Sequence, residues 1–152
     1  MTDTTELSGT TDLVTVEQSV RIEASPETVW QFWTDPARLC EWFGTEADAV
    51  AEPGGVIRVV MAEGPIMSGS YTVLDPPHRL EFTFGWEGNE PGQPLAPGST
   101  TVEVTLTPDG DATDVVLRHS NMPATHAVDH AKGWALFVGE RLPAAVAEQP
   151  AP

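Results

Sequence analysis

The chain is poor in the residues that decide several functions by themselves. It has one cysteine, Cys40, so no intramolecular disulfide can form and a reducing compartment is expected. It has one lysine, Lys132, and six arginines against 23 acidic residues, for a net charge of −16. Nucleic acid is excluded as an expected partner, because binding there rests on neutralising phosphates with Lys and Arg. Anionic membrane surfaces are disfavoured on the same ground. No apolar run approaches the length of a membrane span. The start, Met1-Thr2-Asp3-Thr4-Thr5-Glu6, has neither the basic nor the apolar region of a signal peptide. These absences together lead to an expected cytoplasmic location. No Gly-rich phosphate loop and no Gly-x-Ser-x-Gly elbow occur, so neither nucleotide binding nor serine-hydrolase chemistry has support. No cofactor is called for.

What is present suffices for a core. Of 152 residues 40% are apolar, and five are tryptophan. The pattern predicts a polar arm over residues 1–12, one folded domain over 13–146 and a frayed tail over 147–152. A first strand carries Val14, Val16, Val20, Ile22 and Ala24, with a break expected near Gln18-Ser19. Ser25-Pro26-Glu27 signals a capped helix reaching Thr34, and Asp35-Pro36 signals a second short one. Strand patterns follow from Thr45 to Ala51, Val56 to Met61 and Ile66 to Leu74. Next come Leu80-Phe82-Phe84-Trp86 and Val102-Val104-Leu106, then Val115 to Ser120 after an Asp109-Gly110 hairpin. Residues 88–99 form a Pro/Gly loop long enough to act as a lid. From Ala124 to Leu142 the period becomes helical, with His126, His130, Trp134, Phe137 and Arg141 about one turn apart. Gly133 and Gly139 weaken that helix, and Pro143 should break or kink it.

The element order gives an α+β fold: a curved antiparallel sheet of six or seven strands around one long C-terminal helix, with two short helices after strand 1. Ala24-Ser25-Pro26-Glu27-Thr28-Val29-Trp30, Thr34-Asp35-Pro36, Trp42-Phe43, Pro53-Gly54-Gly55, Gly69 with Tyr71, Asp75-Pro76-Pro77-His78-Arg79-Leu80 and His130-Ala131-Lys132-Gly133-Trp134 occur in that order. Together they resemble the START/polyketide-cyclase superfamily (SRPBCC, birch-pollen-allergen-like, helix-grip fold). Within it they resemble the subgroup homologous to the C-terminal domain of the activator of the heat-shock-protein ATPase. The resemblance implies a hydrophobic cavity between sheet and helix, and relatives that bind lipids or aromatic polyketides, act as cyclases or stimulate a chaperone. It carries over no catalytic residue. Pro143 departs from the family pattern and implies a shortened gripping helix. The absence of the separate N-terminal domain of eukaryotic chaperone activators argues against a co-chaperone role.

The expected ligand is a small apolar or aromatic molecule. Its expected contacts are Trp42, Phe43, Met61, Met67, Tyr71, Phe82, Phe84, Trp86, His130, Trp134 and Phe137. Phe82 is more simply read as sheet core, and Trp30 and Trp33 as packing between helix and sheet. Tyr71 is the expected polar handle. Acid–base chemistry by His119, His130 and Tyr71 would make the protein an enzyme of cyclase, dehydratase or hydrolase type. His119, His126 and His130 also suggest a zinc triad, but Ala127 stands where a metalloprotease glutamate would, and structural roles are the simpler reading, so no metal is expected. An inward Arg58, Arg118 or Arg141 would anchor a ligand carboxylate or phenolate, although surface ion pairs account for them more simply. A homodimer and a chaperone-like interaction role remain open.

Overall fold

The computed structural model describes residues 12–148. Strand β1 spans Leu13–Ile22. Helix α1, Pro26–Thr34, starts where the sequence signals it, with Ser25 Oγ accepting from the Thr28 N–H and Pro26 in the first turn. Its apolar residues recur at helical spacing, so Val29, Phe32 and Trp33 are buried on one face. Asp35 ends α1 and caps α2, Pro36–Leu39.

Six more strands follow: β2 Glu46–Ala49, β3 Val56–Val60, β4 Ile66–Asp75, β5 Arg79–Phe84, β6 Thr100–Asp109 and β7 Ala112–Pro123. They form one seven-stranded sheet in the order β1-β7-β6-β5-β4-β3-β2, with every pair antiparallel. The predicted break at Gln18-Ser19 is absent, since these residues pair in regular register with Leu117 and Val116. The irregularity falls at Thr15 instead, opposite Asn121, which adopts a left-handed conformation at φ 61°.

The sheet bends sharply at β4. Gly69 lies so close to β5 that a Cβ there would fall 1.8 Å from the Thr83 carbonyl oxygen. Only glycine tolerates that approach. The register shift between Tyr71 and Val73 adds to the curvature.

The concave face is crossed by the C-terminal helix. It begins as α3, Ala124–Leu136, passes through a π turn over Phe137–Arg141 and ends as α4, Leu142–Ala147. The expected shortening at Pro143 is therefore wrong. Proline lacks an N–H, and its ring would clash with the carbonyl four residues back. The wider turn relieves this: the Leu142 N–H bonds the Phe137 carbonyl, one residue further back than in an α-helix, and the helix runs on. Trp134, Val138, Leu142, Ala145 and Val146 stay buried along it.

Apolar side chains from β1 through α4 form one cluster. Of the expected terminal segments, residues 1–11 and 149–152 lie outside the described residues. Asp12 is described, and its carbonyl accepts from the Ala124 N–H at the start of α3.

Candidate functional site

The helix packs mainly on β1, with fewer contacts to β7, so it covers one side of the concave face. On the other side, where β3 and β5 end, a pocket of about 220 Å3 remains. Phe43, Met61, Phe84 and Trp86 line it from the sheet side. Asp129, His130, Gly133, Trp134 and Phe137 line it from the helix.

Each lining residue arrives there for a local reason. Phe84 is the last inward residue of β5 and Met61 follows β3 directly. Trp86 is held by a bridge to Met67, and its N–H donates to the Leu95 carbonyl at 2.7 Å. Phe43 follows α2, stacks on Trp42 at 4.9 Å between ring centroids, and meets Phe137 edge-on at 5.5 Å. Asp129, His130, Gly133 and Trp134 on α3 and Phe137 at the start of the π turn are spaced three and four apart, so one face of the C-terminal helix supplies them all.

At and behind the pocket wall two histidines and two tryptophans form two separate hydrogen-bonded sets. Trp134 Nε1–H donates to His119 Nδ1 at 3.0 Å. That nitrogen must then be an acceptor, so the proton of the neutral ring sits on Nε2, which lies 2.8 Å from Thr100 Oγ1. The Thr100 hydroxyl in turn donates to the Phe84 carbonyl at 2.7 Å. His119 is buried and neutral, and burial, followed by the neighbouring His130, pushes its pKa down to about 3. His130 is arranged as the opposite tautomer. Its Nδ1–H donates to the His126 carbonyl at 2.9 Å, and its Nε2 accepts from Trp86 Nε1–H at 3.2 Å. Burial lowers its pKa as well. Phe84 lies among these rings, 4.5 Å from His119 and 5.9 Å from Trp134.

Of the expected contacts, Phe43, Met61, Phe84, Trp86, His130, Trp134 and Phe137 border the pocket, and four do not. Tyr71 is fully buried, and its hydroxyl donates to the Trp33 carbonyl at 2.9 Å, so it offers no polar handle. Burial raises its pKa, away from any acid–base role near neutrality. Trp42 turns its Nε1–H to the Phe32 carbonyl at 2.7 Å. Met67 and Phe82 are core beneath the sheet's concave face. His119 lies behind the wall rather than on it. Nor does the 88–99 loop act as a lid here: none of its residues lines the pocket, and Leu95 and Ala96 are buried. The sequence reading missed Asp129 and Gly133. Their signal was available, since they share the helical spacing of His130 and Trp134.

The arginines are placed on the outside. Arg58 binds Glu87 through two nitrogens and Arg118 binds Glu17. The guanidinium carbon of Arg141 sits 5.2 Å over the Phe137 ring, where the side chain borders adjoining grooves rather than this pocket.

A curved antiparallel sheet and a long gripping helix, with an aromatic-lined pocket between them, define a helix-grip domain. The chain belongs to the family described as activator of Hsp90 ATPase homolog 1-like protein, whose model matches residues 23–147. An AHSA1-like protein from Rhizobium etli is 35% identical, with a TM-score of 0.69, 93% of this chain covered and 87% of that one. DynU16, from the dynemicin biosynthetic locus, is 28% identical with a TM-score of 0.75 over 88% of this chain. The match covers 47% of DynU16, so the chain spans about half of that protein's length. The Aha1 dimer from Colwellia psychrerythraea, at 23% identity and a TM-score of 0.67, covers 84% of this chain and 98% of that one and shares the fold. No curated protein matches the chain.

Proposed function

We propose that the protein is a binding module that holds a small apolar or aromatic molecule between the C-terminal helix and the ends of β3 and β5. The observation that carries this reading is the pocket itself. It is about 220 Å3 in volume, walled by Phe43, Phe84, Trp86, Trp134, Phe137 and Met61, and left unfilled by the gripping helix. Concave, mostly apolar sites with few polar groups are where small ligands bind. The acid–base reading has less behind it. His119 and Tyr71 are buried and hydrogen-bonded within the protein, and both ring nitrogens of His130 are already engaged.

Gly133 supplies the test. A Cβ built there meets nothing within 4 Å, so a larger side chain can enter the pocket without displacing the wall. The neutral fluorophore N-phenyl-1-naphthylamine should bind the native protein with energy transfer from Trp86 and Trp134. Gly133→Leu should fold normally by circular dichroism and lose at least about tenfold in affinity, the equivalent of about 1.4 kcal/mol. Unaltered probe binding by a folded Gly133→Leu protein would remove this pocket as the site.

A further inference from the structure

We infer that the pocket selects an organic cation, an ammonium carried on a flat aromatic or apolar body, over the neutral and anionic molecules of the same shape. This rests on the pocket being the ligand site and adds the charge of the ligand.

The wall is a set of aromatic rings. Phe43, Trp86, Trp134 and Phe137 border the same space, and aromatic faces carry negative charge density that attracts cations. The protein already uses one of these rings in that way, with the Arg141 guanidinium 5.2 Å over Phe137. Beyond the rings, two ionisable side chains border the pocket, Asp129 and His130. Asp129 is exposed at the rim and supplies a carboxylate. Among the described residues no lysine or arginine forms an ion pair with it. His130 cannot supply the opposite charge without breaking a bond. Protonating Nε2 would set two N–H donors against each other, because that nitrogen accepts from Trp86. No arginine or lysine borders the pocket. Apart from the Arg141 guanidinium on the Phe137 ring, the charge at the pocket is the Asp129 carboxylate beside electron-rich rings. A carboxylate or phosphate entering there would lose its hydration and gain no cation. An ammonium would keep a carboxylate partner and gain contact with the rings.

The test uses three probes of one shape, 2-naphthylmethylammonium, 2-naphthylmethanol and 2-naphthoate. Their affinities are measured by calorimetry in enough salt to screen the −16 net charge. The cation should bind about tenfold tighter than the alcohol, and the naphthoate weaker than both. Asp129→Asn should weaken the cation about threefold and leave the alcohol unchanged. Asp111→Asn, in the distant β6–β7 turn, should change neither. If the alcohol binds but the cation binds no tighter, or if Asp129→Asn leaves their ratio unchanged, the charge preference is wrong while the pocket remains the ligand site. Stronger binding of naphthoate, for example by an inward swing of Arg141, also overturns it. If none of the three binds, the pocket reading fails, and the charge preference with it.

Discussion

At the residue scale, the polar groups near the pocket are spent on holding it in shape. His119 is the clearest case, because its neutral ring joins Trp134 on the helix to Thr100 on β6. Its pKa is pushed down to about 3 in the fold, against about 6.5 in an unfolded chain. Between those values the unfolded state binds the extra proton, so acidification favours unfolding. The contribution is complete above about pH 6.5 and is lost as pH falls below it, by about 2 kcal/mol at pH 5 for a single site. Denaturant midpoints at pH 7 and pH 5 should therefore differ. His119→Gln, which keeps one donor and one acceptor, should flatten that difference, leaving mainly what His130 adds. A full pH dependence in the variant would show that other groups cause it. Tyr71→Phe makes the complementary case. It strands the buried Trp33 carbonyl and should cost about 1–2 kcal/mol in chemical denaturation. It should not alter naphthyl-probe affinity, because Tyr71 does not line the pocket and its hydroxyl is engaged by the Trp33 carbonyl. Residue types alone point to Tyr71 and His119 as reactive groups. Alternation tells which residues face inward, but not whether an inward polar atom has already found a partner in the core. That partner is a backbone carbonyl for Tyr71, from another element, and no sequence pattern marks it.

At the element scale the legible parts were those with local causes. Ser25-Pro26 and Asp35-Pro36 set helix starts by capping, and the Leu80-Phe82-Phe84 alternation sets one face of β5. Pro143 was misread because the rule for proline assumes an unbroken α-helical ladder, and the π turn before it removes the clash. Buried Trp134 before that turn, Val138 within it and Leu142 and Val146 after it hold the helix in place. The 88–99 loop was misread because length alone says nothing about anchoring. Gly85 packs so tightly that a Cβ would lie 2.0 Å from the Ala96 carbonyl oxygen, and the Asn89 side chain donates to the Pro94 carbonyl. Gly133 offers a prediction for α3 itself. In mid-helix, glycine costs about 1 kcal/mol relative to alanine, and here the added methyl meets open space. Gly133→Ala should raise stability by about 0.5–1 kcal/mol while leaving probe affinity within about twofold. A loss of stability would mean that the methyl is not accommodated.

At the scale of the whole molecule, charge works against the fold that the core builds. Seven basic residues face 23 acidic ones. Most of the arginines are already paired on the surface, Arg21 with Glu23 and Asp109, Arg79 with Glu81 and Glu103, and Arg38, Arg58 and Arg118 with single glutamates. Exposed pairs of this kind contribute about 0–1 kcal/mol each and weaken as salt is added. The remaining acidic residues repel one another over longer distances, and folding brings them closer together. The two effects respond to salt in opposite directions, which lets experiment decide between them. With the net charge at −16, repulsion should dominate. Raising sodium chloride from about 0.01 M to about 0.5 M shortens the screening length from about 30 Å to about 4 Å. The thermal midpoint should rise by several degrees over that range, as about 1 kcal/mol shifts it by roughly 2–4 °C in a chain of this length. A midpoint that falls with salt would mean that the arginine pairs outweigh the repulsion.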